Sequence, residues 1–230
     1  MSAKRIGIIG GLSWNSTASY YVDLHQLSQN RTNPWSQPEV IIDSLDFGVI
    51  APLLAAGDFE ATGQMVIDSG KRLEAAGASL LAIASNTIHV NFSQLQAAST
   101  LRVVDVRVSL VAEAKERGFT SMGILGTKYL LKEKFYVDKL VELGMRVVLP
   151  TENETDALQR IIFDELTVGV VSQASRELLI EISRSLLERG AEVVGLCCTE
   201  FGLLLTENED FPTIDSTKAH VRELLRLNGN

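Results

Sequence analysis

Cysteine is scarce in this 230-residue sequence: there are two, and they are neighbours, Cys197 and Cys198. Adjacent cysteines are poorly placed to bridge each other and no third exists, so a disulfide scaffold is excluded and a reducing, cytoplasmic setting is expected. The three histidines, His25, His89 and His220, are scattered, and neither C-x-x-C nor H-x-x-x-H spacing occurs, so no metal site is expected. Long apolar runs are missing too. None approaches the ~20 residues of a membrane span, and Met1 to Lys4 leads into a strand without the long h-region of a signal peptide. Positive charge is in deficit, with 21 basic against 29 acidic residues and a net charge of −8. That disfavours nucleic acid or an anionic membrane as a partner, while leaving room for a small anionic substrate held by local dipoles. G-x-G-x-x-G and Gly-Lys-Ser/Thr are absent, so a nucleotide site has weak support.

What remains is a globular chain, 46% apolar and 22% charged. Short apolar runs alternate with helical patterns throughout. Strands are expected at Arg5 to Gly10, Val40 to Leu45, Leu80 to Ala84, Arg102 to Asp105, Ser121 to Leu125, Arg146 to Leu149, Val193 to Cys197 and Pro212 to Asp215. Helices are expected from Asn15 or Ser16, as cap, to about Asn30, from Asp58 to Ala76, Val90 to Ala98, Val108 to Arg117, Lys128 to Gly144, Asp156 to Leu166, Ala174 to Glu188, and from a cap at Ser216 to about Leu227. A short helix follows Asp46-Phe47. This is an α/β fold with parallel sheets and right-handed crossovers. The ending Gly126-Thr127 resembles Gly10-Gly11, as if the pattern restarts near residue 120. Two Rossmann-like lobes are therefore expected, 1–100 with 209–230 and 101–208, with the active site in the cleft between them. No Gly/Ser-rich or charged linker separates them.

Two strand ends stand out. Leu80 to Ile83 leads into Ala84-Ser85-Asn86-Thr87-Ile88-His89, and Val193 to Leu196 leads into Cys197-Cys198-Thr199-Glu200-Phe201. Each buried run delivers a small nucleophile-type side chain at its carboxyl end, where open α/β sheets place their chemistry. The groups are unequal: Ser85 in one half, Cys198 in the other.

Gly10-Gly11-Leu12-Ser13-Trp14, Ser44-Leu45-Asp46-Phe47, Ser85-Asn86-Thr87-Ile88-His89, Leu125-Gly126-Thr127, Ile161-Ile162-Phe163-Asp164-Glu165-Leu166 and Cys198-Thr199-Glu200-Phe201-Gly202-Leu203 together resemble the aspartate/glutamate racemase family, in order and over nearly the whole chain. The resemblance implies a cofactor-independent amino-acid racemase of two pseudo-symmetric lobes, acting on a small amino acid and usually paired as a homodimer. It implies a cysteine before Asn-Thr in the first half and another before Thr-Glu in the second, on opposite faces of the substrate Cα. Cys198 keeps the second. Ser85 stands at the first, and Cys197 takes a common glycine position as a packing residue. Leu53-Leu54 lies where the resemblance implies a more polar pair, and an apolar wall there suits a less polar substrate.

Racemisation removes a proton from one face of Cα and returns one to the other. A thiol suits both tasks because its free pKa of about 8.5 is near working pH. Most of the barrier lies in the carbanion, so donors aimed at the substrate carboxylate matter most. Asn86, Thr87 and Thr199, at helix-opening turns, can supply them, as can Leu12 and Ser13 through their loop, and Gly126 with Thr127. No pyridoxal-binding lysine motif is evident. Asp46 and Glu165 can hold the substrate ammonium, or serve as a helix cap and a solvated face. Glu200 orients either His89 or its own turn. Trp14, Tyr20 and Tyr21 are read as core or lobe contacts. A serine hydroxyl is a poor general base, and three readings follow: an asymmetric racemase with Cys198 as the working group, a cysteine replaced by serine to trap a ligand, or single-thiol chemistry such as malonate decarboxylation. A non-catalytic carboxylate binder is the remaining alternative.

Overall fold

A computed structural model describes residues 4–28, 35–206 and 209–229. The chain divides into two compact units, Met1–Asp105 with His220–Asn230, and Val106–Ala219.

The first unit runs β1 (Arg5–Gly10), α1 (Trp14–Leu27), β2 (Glu39–Ser44), α2 (Phe47–Ala56), α3 (Phe59–Ala75), β3 (Leu80–Ile83), a 3-10 turn (Thr87–Asn91), α4 (Phe92–Ala98) and β4 (Arg102–Val104). Its described strands form a parallel sheet in the order β2-β1-β3-β4. Side chains alternate across this sheet, as the two-residue period of a strand requires. Ile6, Ile8, Leu80 and Ala82 face a layer with Tyr20 and Leu24 of α1. Ile9, Leu81 and Ile83 face the opposite layer with Val66 and Leu73 of α3 and Leu95 of α4. Burial on both faces is why these strands read as continuous apolar runs.

The second unit runs α5 (Val106–Glu116), β5 (Ser121–Leu125), α6 (Lys128–Lys132), α7 (Lys134–Glu142), β6 (Arg146–Val148), α8 (Glu152–Arg160), a π-helical turn (Ile161–Glu165), a 3-10 turn (Leu166–Val168), α9 (Gln173–Glu188), β7 (Val193–Leu196), a 3-10 turn (Thr199–Leu203) and β8 (Thr213–Asp215). The last helix, α10 (Ser216–Asn228), begins in this unit and ends in the first, where Val221, Leu224 and Leu225 join the layer under β1. The second sheet is also parallel, in the order β6-β5-β7-β8. Within each unit the second strand lies at one edge, followed by the first, third and fourth. The restart near residue 120 is thus a repeat of topology.

Several boundaries differ from the sequence expectation. The helix expected to run to about Asn30 is described to Leu27; Asn30 lies outside the described residues. It is capped by Ser13, two residues before Asn15 and three before Ser16; its Oγ accepts from Ser16 N at 3.1 Å. The helix expected over Lys128 to Gly144 is broken at Glu133, which is extended with ψ 133°. The helix expected from Asp156 begins at Glu152, set by a capping box in which Thr151 and Glu154 satisfy each other's backbone N–H. Asp215, rather than Ser216, caps α10: its Oδ1 accepts from Thr217 N at 2.8 Å, while Ser216 Oγ donates to Leu196 O. Of the three aromatics near α1, Tyr20 is buried, whereas Trp14 and Tyr21 are 71% and 49% exposed.

Candidate active site

The strand order brings the polar turns together within each unit. In the first, β1 lies between β2 and β3, so Leu12 and Ser13, Asp46, and Ser85 to Thr87 emerge side by side at the carboxyl edge. Leu45 N donates to Gly10 O at 3.0 Å, and Ala84 N donates to Ile9 O at 3.0 Å as the last rung of β3 on β1. Gly11 makes the turn possible. Its φ is +72°, and an added Cβ would lie 2.0 Å from Leu45 O. Leu12 is buried in the apolar layer with Ile9 and Ile83. Ser13 is engaged as the α1 cap, and Gly11 N donates to Thr17 Oγ1 at 2.8 Å. This loop therefore spends Gly11 N–H and Ser16 N–H on its own closure. Asp46 is exposed and caps α2, accepting from Gly48 N at 2.8 Å. Leu53 and Leu54 are half-buried on that helix.

Ser85 sits two residues past β3, with 9% exposure; Asn86 is also buried and Thr87 half-buried. Ser85 Oγ accepts from Ile88 N at 3.4 Å. His89, 1% exposed, points Nδ1 at Ser85 O across 2.6 Å. A carbonyl only accepts, so Nδ1 carries the proton. His89 stacks on Phe92 and meets His220 edge-on at 5.9 Å. Behind it, His220 Nε2–H donates to Val104 O at 3.0 Å and its Nδ1 accepts from Tyr20 O–H at 2.7 Å. Burial and the neighbouring His89 push the His220 pKa down to about 3. His220 and Tyr20 carry no site signal in the sequence; only the fold joins positions 200 residues apart.

The second unit repeats the pattern. Cys197 N donates to Leu125 O at 2.7 Å, the counterpart of Ala84 N on Ile9 O. Cys198 is therefore the topological equivalent of Ser85, two residues past β7 and 7% exposed. Its Sγ donates to Glu200 Oε2 at 3.1 Å, and Thr199 Oγ1 donates to the same oxygen at 2.7 Å. Burial first, then the Glu200 carboxylate and its hydrogen bond, raise the Cys198 thiol well above its ordinary pKa. The group rests as a thiol, hydrogen-bonded to the Glu200 carboxylate. Cys197 is fully buried; burial pushes it up to about 12, partly offset by a hydrogen bond from Tyr136. It has the character of the packing residue expected, with Tyr136 as a partner the sequence did not signal.

Gly126 and Thr127 follow β5 beside the Cys198 turn. Thr127 Oγ1 caps α6, accepting from Leu130 N at 3.1 Å, and Gln159 Oε1 takes Lys128 N at 2.9 Å. Glu165 ends the π-helical turn that follows α8. Its Oε2 accepts from Ser172 Oγ at 3.0 Å and Ser175 Oγ at 2.6 Å, so it binds the start of α9. Asp164 is exposed. Among the described residues no three of His, Cys, Asp or Glu converge as a metal-binding group, and no helix is long and apolar enough to cross a membrane.

The fold is shared with known proteins. PH1733, an aspartate racemase homologue from Pyrococcus horikoshii OT3, is 33% identical, with a TM-score of 0.87 over 99% of this chain and 100% of that one. A Yersinia pestis protein whose structure bears a provisional Asp/Glu racemase assignment is 29% identical, with a TM-score of 0.90 over 99% and 100%. The broad specificity amino-acid racemase RacX of Bacillus subtilis (strain 168) is 22% identical over 221 residues, 92% of each chain. The class is thus an isomerase of α/β architecture, a racemase. The family model for Asp/Glu/hydantoin racemases matches residues 9–224, and the chain belongs to that family.

Proposed function

We propose that the protein is a cofactor-independent amino-acid racemase acting on aspartate- or glutamate-type substrates. Cys198 exchanges the Cα proton on one face, and Ser85 occupies the position of the opposite group. The observation that carries this reading is the matched pair of strand ends, with the Cys198 thiol set 3.1 Å from Glu200 in the second unit and Ser85 at the same topological position in the first. The family match and the aspartate racemase homologue support the substrate class.

In this reading Cys198 serves one face of Cα and position 85 the other. Glu200 takes the thiol proton, and the Cys198 thiolate then takes the Cα proton of one enantiomer. The electron pair left on Cα delocalises into the substrate carboxylate. The reading assigns donors there to Asn86, Thr87, Thr127 and Thr199, because charge that develops in a dry site is best met by fixed dipoles. A proton delivered to the other face completes inversion. Run in reverse, the Cys198 thiol is the donor, which suits a group whose resting form is protonated. Ser85 has a hydroxyl where a second thiol would serve as base, so abstraction on its face is slow. The assignment extends to a cytoplasmic homodimer, in keeping with the family resemblance.

The test is proton NMR in deuterated buffer with L- and D-aspartate and L- and D-glutamate incubated separately. Deuterium entering Cα of one enantiomer faster than the other supports the reading. No exchange with any of the four rejects it. A strand-end thiol in one unit alone also favours a second reading, decarboxylation of a malonate, in which carbon dioxide leaves and the Cys198 thiol protonates the carbanion left at Cα. The fold is compatible, since arylmalonate decarboxylase shares it with a TM-score of 0.57 at 14% identity. Carbon dioxide release from malonates, without exchange into amino acids, would select that reading.

A further inference from the structure

The two strand-end turns differ in how they hold the carbonyl of the key residue. In the second unit the 3-10 turn closes directly on Cys198, whose carbonyl accepts from Phe201 N at 3.0 Å. In the first unit the corresponding closure falls one residue later, with His89 N donating to Asn86 O at 3.2 Å. The Ser85 carbonyl is held instead by a side chain, the His89 imidazole at 2.6 Å. From this we infer that His89 is a positioning residue for position 85: its Nδ1–H fixes the peptide that carries the side chain and so sets where Oγ points.

The physical case rests on what else constrains that peptide. The β-ladder ends at Ala84 N, and the helical turn begins at Asn86, so Ser85 lies between two regular elements. Its environment is buried, where a carbonyl left without a donor is destabilising. The imidazole itself is held in place by stacking on Phe92 and by the edge of His220. His220 in turn is fixed by Tyr20 and Val104. A rigid stack of rings from the turn, α10 and α1 therefore reaches the Ser85 carbonyl. The Cys198 turn has a backbone bond in the same place.

This inference rests on the racemase reading for its effect on turnover, but not for its effect on geometry, and the test separates the two. Ser85→Cys places a thiol at the position, and His89→Asn and His89→Leu are added to it. Asparagine puts an N–H donor where Nδ1 lies; leucine has the same branching and no donor. Thermal melts establish that each variant folds, and His89→Gln replaces His89→Leu if the latter does not. With Cys198→Ser in all forms, the alkylation rate of the introduced thiol reads its exposure and direction without catalysis. It should change about threefold or more with leucine and return toward the histidine value with asparagine. With Cys198 retained, Cα exchange of the enantiomer served by position 85 should fall about tenfold or more with leucine. The other enantiomer should stay within about twofold, and asparagine should restore most of the loss. Equal alkylation across histidine, asparagine and leucine would overturn the inference, as would an equal fall for both enantiomers. If the Ser85→Cys form exchanges no amino acid, the racemase reading fails and the alkylation series alone decides the role of His89.

Discussion

Cys198 Sγ and Glu200 Oε2 are 3.1 Å apart, with the thiol donating and Thr199 Oγ1 donating to the same oxygen at 2.7 Å. Glu200 opposes thiolate formation by its charge, and in the proposed reading it is also the acceptor through which a thiolate forms.

Glu200→Gln separates these roles. Burial is the larger cause of the raised Cys198 pKa and survives the change, but the carboxylate contribution is lost. The thiol pKa should fall toward its ordinary value without reaching it, which the pH dependence of its alkylation measures. Turnover should nevertheless fall, by about a hundredfold, because the proton acceptor is gone. A variant whose thiol becomes more reactive while exchange is unchanged would show that Glu200 takes no proton.

Gly11→Ala should cost about 3 kcal/mol or more, since a left-handed φ is combined with a Cβ at 2.0 Å from Leu45 O. Gly57 is the control. Its φ is also +72°, but nothing lies within 4 Å of an added Cβ, so Gly57→Ala should cost about 1 kcal/mol. Chemical denaturation of the two variants should rank them in this order.

The Tyr20–His220 pair gives a pH-dependent stability. His220 is held near 3 in the folded protein against 6.5 in a free chain, because burial disfavours its charge. Between these values the unfolded chain binds a proton that the folded one refuses, so stability falls as pH drops from about 6.5 toward 3 and is fully present above 6.5. His220→Gln should flatten that slope in melts taken between pH 7 and about 4. Tyr20→Phe at neutral pH should cost about 1–3 kcal/mol by leaving Nδ1 without its donor.

Asp43 and Arg72 join β2 to α3 through two hydrogen bonds, at 3.1 and 2.7 Å. The guanidinium holds the Asp43 carboxyl below its ordinary pKa, so the stabilisation is present above the unfolded value and lost as pH falls through the folded one. Arg72 is more than half exposed, and screening limits the pair to about 1 kcal/mol or less. Asp43→Asn should shift the melting midpoint slightly at pH 7 and progressively less as pH falls and the folded carboxyl is protonated, which a larger or pH-independent loss would contradict.

The sheet architecture was legible because parallel strands buried on both faces appear as apolar runs. β5 falls on Ser121–Leu125 as read, and the positions of Ser85 and Cys198 follow from where β3 and β7 stop. Features decided by tertiary contacts were not legible. The helix pattern continues through Lys128 to Gly144, yet Glu133 breaks it. Trp14 and Tyr21 have core-type side chains on exposed positions of α1. Glu165 is drawn to Ser172 and Ser175 by the π-helical turn, which has no periodic signature in the sequence. The Ser85 turn shows the limit most clearly. Its residues were read correctly as a strand end, but the His89 bond, with His220 behind it, depends on a helix more than a hundred residues away.

The most direct measurement is two-way racemisation by Ser85→Cys against the parent protein, followed as Cα–deuterium exchange for the L and D forms of aspartate and glutamate. The account predicts that the parent exchanges one enantiomer predominantly and that Ser85→Cys adds exchange of the other. Adding Cys198→Ser should then remove the activity present in the parent. Loss of no activity on Cys198→Ser, or no exchange of any of the four amino acids by either protein, would contradict it.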